Sequence, residues 1–474
     1  MRVKFGTSGL RGLAVDLLDG SADTFALAFV RHLLMTGYVQ SGDRMFVGRD
    51  LRESSPMIAA RCVKALRRAG MVAVDCGVLP TPALALYSRA NRAAAIMVTG
   101  SHIPADRNGL KFYRPDGEID KADEASIAAL AGKPAPWADT GSTTLPSPPD
   151  EESAAWAIYR DRCLNILPAG ALSRLRIGVY QHSSVARDFL VEILTAYDAE
   201  VVALGRSETF VPVDTEALGE ETAAALKHWT QEHRLHAIVS TDADADRPLV
   251  TDETGRQIRG DTVGLITARF LNANCVVTPV TSNSGIERML GARIMRTRVG
   301  SPYVIEAMLR ACHEGNGVVA GFEANGGFML ATPASLGSVT LASLPTRDSL
   351  LPILALLGQG GAALSRHVDA LRLPACMSDR LVDYPVEMSR ALMASFAVDR
   401  TNIDRFLQDL GAIFRVDWTD GLRVVLDDGS VVHLRPSGNA PEMRCYVEAP
   451  TVDVAHGLLH TMLTRLRKSV PGDL

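Results

Sequence analysis

Three carboxylates stand at alternate positions in the run Ala237-Ile238-Val239-Ser240-Thr241-Asp242-Ala243-Asp244-Ala245-Asp246-Arg247. The apolar residues before them read as a buried strand. In an extended segment alternate side chains point the same way, so the three charges would converge. Left alone they would repel and raise one another's pKa. A divalent cation removes that conflict, and an all-oxygen set suits a hard ion such as magnesium. A calcium loop is the sharpest rival, because Asp242, Asp244, Asp246 and Glu253 fall at its first, third, fifth and twelfth positions. Its sixth position needs glycine, whereas this chain has Arg247 followed by Pro248. The flanks His236 to Ser240 and Leu249 to Asp252 read as strands, where a calcium loop has helices. A plain solvated acidic turn would give the row no chemistry at all.

A second segment, Thr99-Gly100-Ser101-His102-Ile103-Pro104, leaves the end of another apolar run. A serine hydrolase needs a G-x-S-x-G elbow and an oriented histidine; here the motif is G-S-H, and adjacent Ser and His side chains tend to diverge. A serine that carries a phosphoryl group beside a metal suits the residues better. Its phosphate would add roughly 1.5 to 2 negative charges and three strong acceptors, which a cation on Asp242, Asp244 and Asp246 could clamp. Lys111, in a turn and strand just beyond, faces solvent by default. Near metal and phosphate it could trade a proton with a hydroxyl.

Two further loops carry polar groups. Gly321-Phe322-Glu323-Ala324-Asn325-Gly326-Gly327 sets a carboxylate and an amide two apart, the groups that read vicinal hydroxyls on a sugar. Arg435-Pro436-Ser437-Gly438-Asn439-Ala440-Pro441-Glu442-Met443-Arg444 combines a turn whose amides form an anion nest with two arginine forks for a dianion. The glycine loop from Gly6 to Gly12 offers a similar turn plus Arg11. Each is also compatible with an ordinary turn; together they favour phosphate.

These loops need elements to hold them. Arg44 to Gly48, Ser54 to Ala69, Met71 to Cys76, Pro82 to Arg89 and Ala94 to Val98 alternate strand, helix, strand, helix, strand. Ser54 is the expected N-cap of the first helix and Pro56 stands in its first turn. The rhythm recurs from Leu175 to Ser240 and from Cys275 to Ala320. It includes helices over Val185–Tyr197, Thr215–His233 and Gly285–Leu290. Right-handed crossovers would build each unit as a parallel sheet. Every unit ends in a short apolar strand that empties into one of the polar loops, and ligands bind where parallel strands end. A Pro/Ser/Thr/Gly-rich linker covers Gly132 to Pro149. Beyond about Pro374, short strands, a turn at Asp428-Gly429 and a helix from Val452 to Leu466 read as a smaller α+β domain with an antiparallel sheet.

Composition excludes several classes. A length of 474 residues exceeds one core and calls for three or four domains. The net charge of −5 gives no hint of a nucleic-acid surface, and no Lys/Arg block supplies one. Seven cysteines without a CxxC pair point to reduced thiols in a cytoplasmic protein. No apolar stretch suits a bilayer; Leu350 to Leu357 is helix-sized and interrupted by Pro352.

Taken in order, Thr7-Ser8-Gly9-Leu10-Arg11-Gly12, Thr99 to Pro104, Asp242 to Arg247, Glu323-Ala324-Asn325-Gly326 and Arg435-Pro436-Ser437-Gly438 resemble the motifs of the α-D-phosphohexomutase family over essentially the whole chain. The resemblance implies an α/β fold of three similar domains with mixed, mainly parallel sheets plus a C-terminal α+β domain, around a central cleft. The expected boundaries are 1–140, 150–255, 256–370 and 371–474. It implies Ser101 as the phosphorylated residue, with Asp242, Asp244 and Asp246 holding one Mg2+ beside it and Ser101 completing the metal's ligands. It further implies Glu323 and Asn325 on sugar hydroxyls, and Arg435, Ser437, Gly438, Asn439 and Arg444 on the phosphate that is not transferred. Arg11, His102, Lys111 and Arg247 would line the phosphoserine side, with Lys111 as general acid/base.

The implied activity is a phosphohexomutase that interconverts mannose 6-phosphate and mannose 1-phosphate through a hexose 1,6-bisphosphate. Glucose or glucosamine phosphates are the alternative substrates. A metal-dependent sugar phosphatase or a non-catalytic sugar-phosphate sensor is the alternative of another class. Partners are small hexose phosphates, with no nucleic acid and no membrane, and the chain is expected as a monomer or homodimer. The sequence departs from the family pattern at Ile103, where Asn is usual, and at Ala243 and Ala245, where glycine is usual. Asn325 and Gly327 stand where many members have Ser and His, so no histidine acid/base carries over there. Asn439-Ala440 replaces a common Thr-Glu.

Overall fold

The short apolar runs become the most deeply buried strands. All five residues of Ala94–Val98, all five of Ala237–Thr241 and all four of Val319–Phe322 are buried. Strands covered on both faces read as continuous apolar runs, and these do. The computed structural model describes residues 3–6, 9–137, 149–437 and 441–468. They fall into two compact units, one of residues 1–277 with 300–370, the other of 278–299 with 371–474.

In the first unit the expected rhythm builds mixed sheets by one recurring device. Arg44–Arg49 pairs in parallel with both Val72–Val78 and Ala94–Val98, and Arg107–Arg114 then returns antiparallel against Ala94–Val98. Arg176–His182 pairs in parallel with Glu200–Arg206 and Ala237–Thr241, and Pro248–Thr251 returns antiparallel. Val319–Phe322 lies parallel to Cys275–Pro279, and Phe328–Leu330 returns antiparallel. Each polar loop is therefore the link between a buried parallel strand and an antiparallel partner. That pins both of its ends.

The second unit holds a five-stranded antiparallel sheet in the order Ala375–Leu381, Met443–Ala449, Val431–Pro436, Leu422–Leu426, Ile413–Asp417. The helix Val452–Lys468 buries Ala455, Leu458, Leu459, Met462, Leu463 and Leu466, an i, i+3, i+4 stripe against a core that includes Leu434 and Val447. The helices Val386–Val398 and Arg400–Phe406 also lie here; the sequence reading did not anticipate them.

Several boundaries differ from expectation for identifiable reasons. Ser54 precedes the helix Ser55–Arg68 but makes no side-chain cap; its hydroxyl accepts from Asn108 Nδ2 at 2.9 Å instead. Pro352 does not interrupt Leu350–Gly360, because it stands in the first turn, where the missing N–H has no helical partner anyway. The helix expected from Thr215 begins at Glu220: Asp214 Oδ1 accepts from Glu216 N in a local turn, and Gln257 Nε2 donates to the Thr215 carbonyl. The helix expected from Val185 begins at Arg187, since Val185 N donates to Ala243 O. The helix expected over Gly285–Leu290 is one turn, Ile286–Met289. All seven cysteines are free, and no described helix is long and apolar enough to cross a membrane.

Candidate active site

The three aspartates converge, though not by strand alternation. The strand ends at Thr241, and residues 242–247 form a turn with Ala245 in the left-handed region at φ 57°. Asp242 closes that turn: its amide donates to Arg247 O, and its Oδ1 accepts from the amides of Asp246 and Arg247 at 3.2 Å each. The intervening carbonyls are held by three separate segments. Val185 N donates to Ala243 O, Thr81 N to Asp244 O, and Ser349 Oγ to Ala245 O. Neighbours thus take the three carbonyls between Asp242 and Asp246, which pins the loop backbone. The two alanines keep this backbone, with Ala245 in a conformation that glycine would adopt more readily.

The carboxylates are fully buried, with one oxygen from each within 4.8 Å of the others. Burial, with Asp244 and Asp246 alongside, pushes the Asp242 pKa well up. Burial also opposes the charge on Asp246, but Arg347, Lys111 and Arg247 outweigh it and hold that pKa below the ordinary carboxylate range. Asp244 Oδ1 and Asp246 Oδ1 are buried without any hydrogen-bond partner. Orphaned carboxylate oxygens in an all-oxygen cluster fit a hard divalent cation such as magnesium.

Ser101 is buried and reaches this cluster directly: its Oγ donates to Asp242 Oδ2 at 2.5 Å. His102 Nδ1 lies 3.3 Å from Ser101 Oγ, so the adjacent side chains meet rather than diverge, helped by the left-handed φ of 53° at Ser101. Arg247, burial and Arg11 together depress the His102 pKa far below its usual value, so the imidazole is neutral. Lys111 is not solvent-facing. It is buried, with Nζ 2.5 Å from both Asp244 Oδ2 and Asp246 Oδ2. Burial opposes its charge, but those two carboxylates prevail and raise its pKa.

A cationic wall completes this side. Burial, Arg247 and Arg347 pull the Arg11 pKa down to about 10. Among the described residues no hydrogen bond or ion pair engages the Arg11 guanidinium. Cations crowded closely enough to repel, around a buried hydroxyl, form a site for a multiply charged anion.

Glu323 and Asn325, expected on sugar hydroxyls, lie in the same unit. Glu323 Oε2 accepts from Arg347 Nη1 at 2.9 Å, and Asn325 Oδ1 from Gly327 N at 3.0 Å. Arg347 also pairs with Asp246 Oδ2 at 2.8 Å, which ties the two loops together. Sequence reasoning missed Arg347. Its one local signal is the polar Thr346-Arg347-Asp348-Ser349 step between a strand and a buried helix. Thr81, whose hydroxyl donates to Asp244 Oδ2, was missed as well.

In the second unit, Arg435 and Arg444 are direct partners across the antiparallel ladder, so their side chains share a face. Arg435 Nε donates to Asp420 Oδ2 at 2.7 Å, and Ser437 N donates to Glu442 O. Gly438 and Asn439 lie outside the described residues, as do Thr7 and Ser8 of the first glycine loop.

Models of the four phosphoglucomutase/phosphomannomutase domains match the chain in order. Alpha/beta/alpha domain I matches residues 2–135, domain II 158–255, domain III 259–371 and the C-terminal domain 396–464. The chain belongs to this phosphohexomutase family. It is thus an isomerase that moves a phosphoryl group within a sugar. It is 52% identical over 473 residues to a phosphomannomutase of Sinorhizobium fredii, covering 99% of this chain and 100% of that one. It is 40% identical over 478 residues to a phosphomannomutase of Salmonella muenchen, covering 99% and 96%. Among solved structures, a phosphoglucomutase/phosphomannomutase family protein from Burkholderia thailandensis shares the fold, with a TM-score of 0.75 at 20% identity and 98% of each chain covered.

Proposed function

We propose that the chain interconverts mannose 6-phosphate and mannose 1-phosphate, with Ser101 carrying the phosphoryl group between turnovers. The observation that carries this reading is the Ser101 hydroxyl on Asp242, inside a buried triad bordered by Arg11, Arg247 and Lys111. The choice of mannose rests on the two relatives named phosphomannomutase.

In the proposed reaction the phosphoserine P–O bond breaks as a free hydroxyl of the bound sugar bonds to phosphorus. The proton of that hydroxyl ends on Ser101 Oγ, and Lys111 is the residue assigned to relay it. The hexose 1,6-bisphosphate so formed turns over and returns its other phosphate to Ser101. Asp242, Asp244 and Asp246 would hold Mg2+, which when bound supplies charge neutralisation to the moving phosphoryl group. Arg11 and Arg247 hold that group's oxygens, and neutral His102 leaves the Ser101 side free of an added proton. Glu323 and Asn325 read the sugar hydroxyls in either orientation. Arg435, Ser437, Gly438, Asn439 and Arg444 hold the phosphate that stays. We assign these roles to four domains, 1–140, 150–255, 256–370 and 371–474, and place the enzyme in the cytoplasm.

Supplying mannose, glucose and glucosamine 1-phosphates with magnesium and a trace of the matching bisphosphate tests the reading. Isomer should form fastest from mannose 1-phosphate, and Ser101→Ala should abolish it. Release of inorganic phosphate would instead indicate a phosphatase, no product at all a sensor, and full activity in Ser101→Ala would refute Ser101 as carrier.

A further inference from the structure

Arg52 is one of the largest fully buried side chains, and the reaction outlined above gives it no task. It stands just past the strand Arg44–Arg49 and is enclosed by the serine loop. Nη1 donates to the carbonyls of Pro104 at 2.7 Å and Arg107 at 2.9 Å. Nη2 donates to those of Ser101 at 2.8 Å and Ile103 at 2.6 Å. Nε faces Asp50 Oδ2 at 3.3 Å. A guanidinium has five N–H groups in a fixed fork; here the four on Nη1 and Nη2 each meet a loop carbonyl, while Nε pairs with the Asp50 carboxylate without a hydrogen bond.

Both faces of the fork are also covered. The Phe210 ring centroid lies 4.0 Å from the guanidinium carbon. On the serine-loop side, Gly100 approaches so closely that a Cβ there would stand 2.6 Å from the same carbon. Asp50 extends the network. Its Oδ2 accepts from Thr99 Oγ1 at 2.8 Å, and that hydroxyl accepts from Ser101 N at 2.8 Å. The amide and the carbonyl of Ser101 are thus both anchored, one through Thr99 and Asp50, the other on Arg52. Between those anchors Ser101 adopts φ 53°, a left-handed conformation that a serine does not hold without support. This support also fills the place behind the serine where Ile103 offers no polar side chain: the Ile103 carbonyl, not its side chain, makes the contact.

We infer that Arg52, backed by Asp50, is the positioning residue that fixes Ser101 for phosphoryl transfer. The inference rests on Ser101 being the phosphoryl carrier. Lysine cannot reproduce four divergent donors, so Arg52→Lys frees the loop carbonyls and lets the serine backbone leave its left-handed conformation. The groups that read the sugar, Glu323 and Asn325, belong to another loop and keep their contacts.

The test compares Arg52→Lys with the wild-type chain on mannose 1-phosphate. Three readouts apply: kcat, KM, and the rate at which Ser101 takes up phosphate from hexose bisphosphate, followed by intact mass. Misplacement of a reacting atom by about 1 Å costs roughly 10²-fold. The expected result is therefore a kcat loss of about that size with KM within about threefold, and a matching loss in the uptake rate. An unchanged kcat, or a rise in KM at unchanged kcat, overturns the assignment. Should Arg52→Lys not fold, Phe210→Ala decides in its place: slower uptake at constant KM supports the role, and an unchanged rate overturns it. Failure of the carrier reading itself looks different, because wild-type Ser101 would then take up no phosphate at all.

Discussion

A Cβ at position 327 would stand 2.6 Å from Cδ of Arg347 and 3.0 Å from the Asp246 carbonyl. Gly327 is therefore the space through which the Arg347 stem passes on its way to Asp246 and Glu323. The missing side chain leaves room for a buried arginine arriving from another strand. Gly327→Ala should push Arg347 off both carboxylates and lower kcat/KM by at least about tenfold. Steady-state kinetics check this, and activity within twofold of wild type would show that the stem can move aside freely.

Lys111 occupies the gap between Asp244 and Asp246, the side chains proposed to hold the metal. A fixed cation there repels a second one. Lys111→Met should lower mutase activity, destabilise the metal-free protein by roughly 3–5 kcal/mol through loss of a buried partner, and tighten magnesium binding. Calorimetric titration after chelation measures the last effect. Binding weaker than in the wild type would mean that Lys111 helps to assemble the site.

Burial pushes the His182 pKa down from 6.5 to about 4. Its Nε2 donates to Thr241 O at 2.9 Å, at the end of the strand that carries the metal loop, and its Nδ1 is buried without a partner. The unfolded chain protonates this ring near pH 6.5, the folded one only near pH 4. Between those values the unfolded state binds more protons, so stability is complete above about pH 6.5 and is lost as the pH falls toward 4. The full contribution is at most about 3 kcal/mol. His433, also pushed down to about 4 by burial, adds a slope of the same sign. Denaturation between pH 7 and 4.5 should show this decline, and His182→Asn should flatten but not remove it. A slope that His182→Asn leaves intact would assign the acid sensitivity elsewhere.

Ala245 holds a left-handed φ of 57° in the turn that joins Asp244 to Asp246. An L-residue there is strained by about 1–2 kcal/mol, part of which glycine gives back through the greater freedom of its unfolded chain. Ala245→Gly should stabilise the protein by up to about 1 kcal/mol and leave the aspartates in place. Denaturant midpoints check this; a net loss of stability would mean that the buried methyl group contributes more than the strain removes.

What the sequence determined by itself was local. Apolar runs that empty into Ser101, Asp242 and Glu323 mark three strand ends, because burial on both faces demands continuous hydrophobicity and the polar residues must then lie at the exit. Spacing placed the aspartates within reach of one another, and the order of the motifs carried the family. What only the tertiary structure decided was every contact between distant segments. Asp242 to Asp246 converge through a turn whose carbonyls are held by Val185, Thr81 and Ser349. Lys111 is buried because its strand returns beside Ala94–Val98, so that its ammonium meets the aspartates of another segment. Arg347 and Arg52 left no pattern in the chain that named their partners. Periodicity reports which face neighbouring residues share. Which remote loop packs against that face is settled by how whole sheets bury one another, and no short window of residues contains that information.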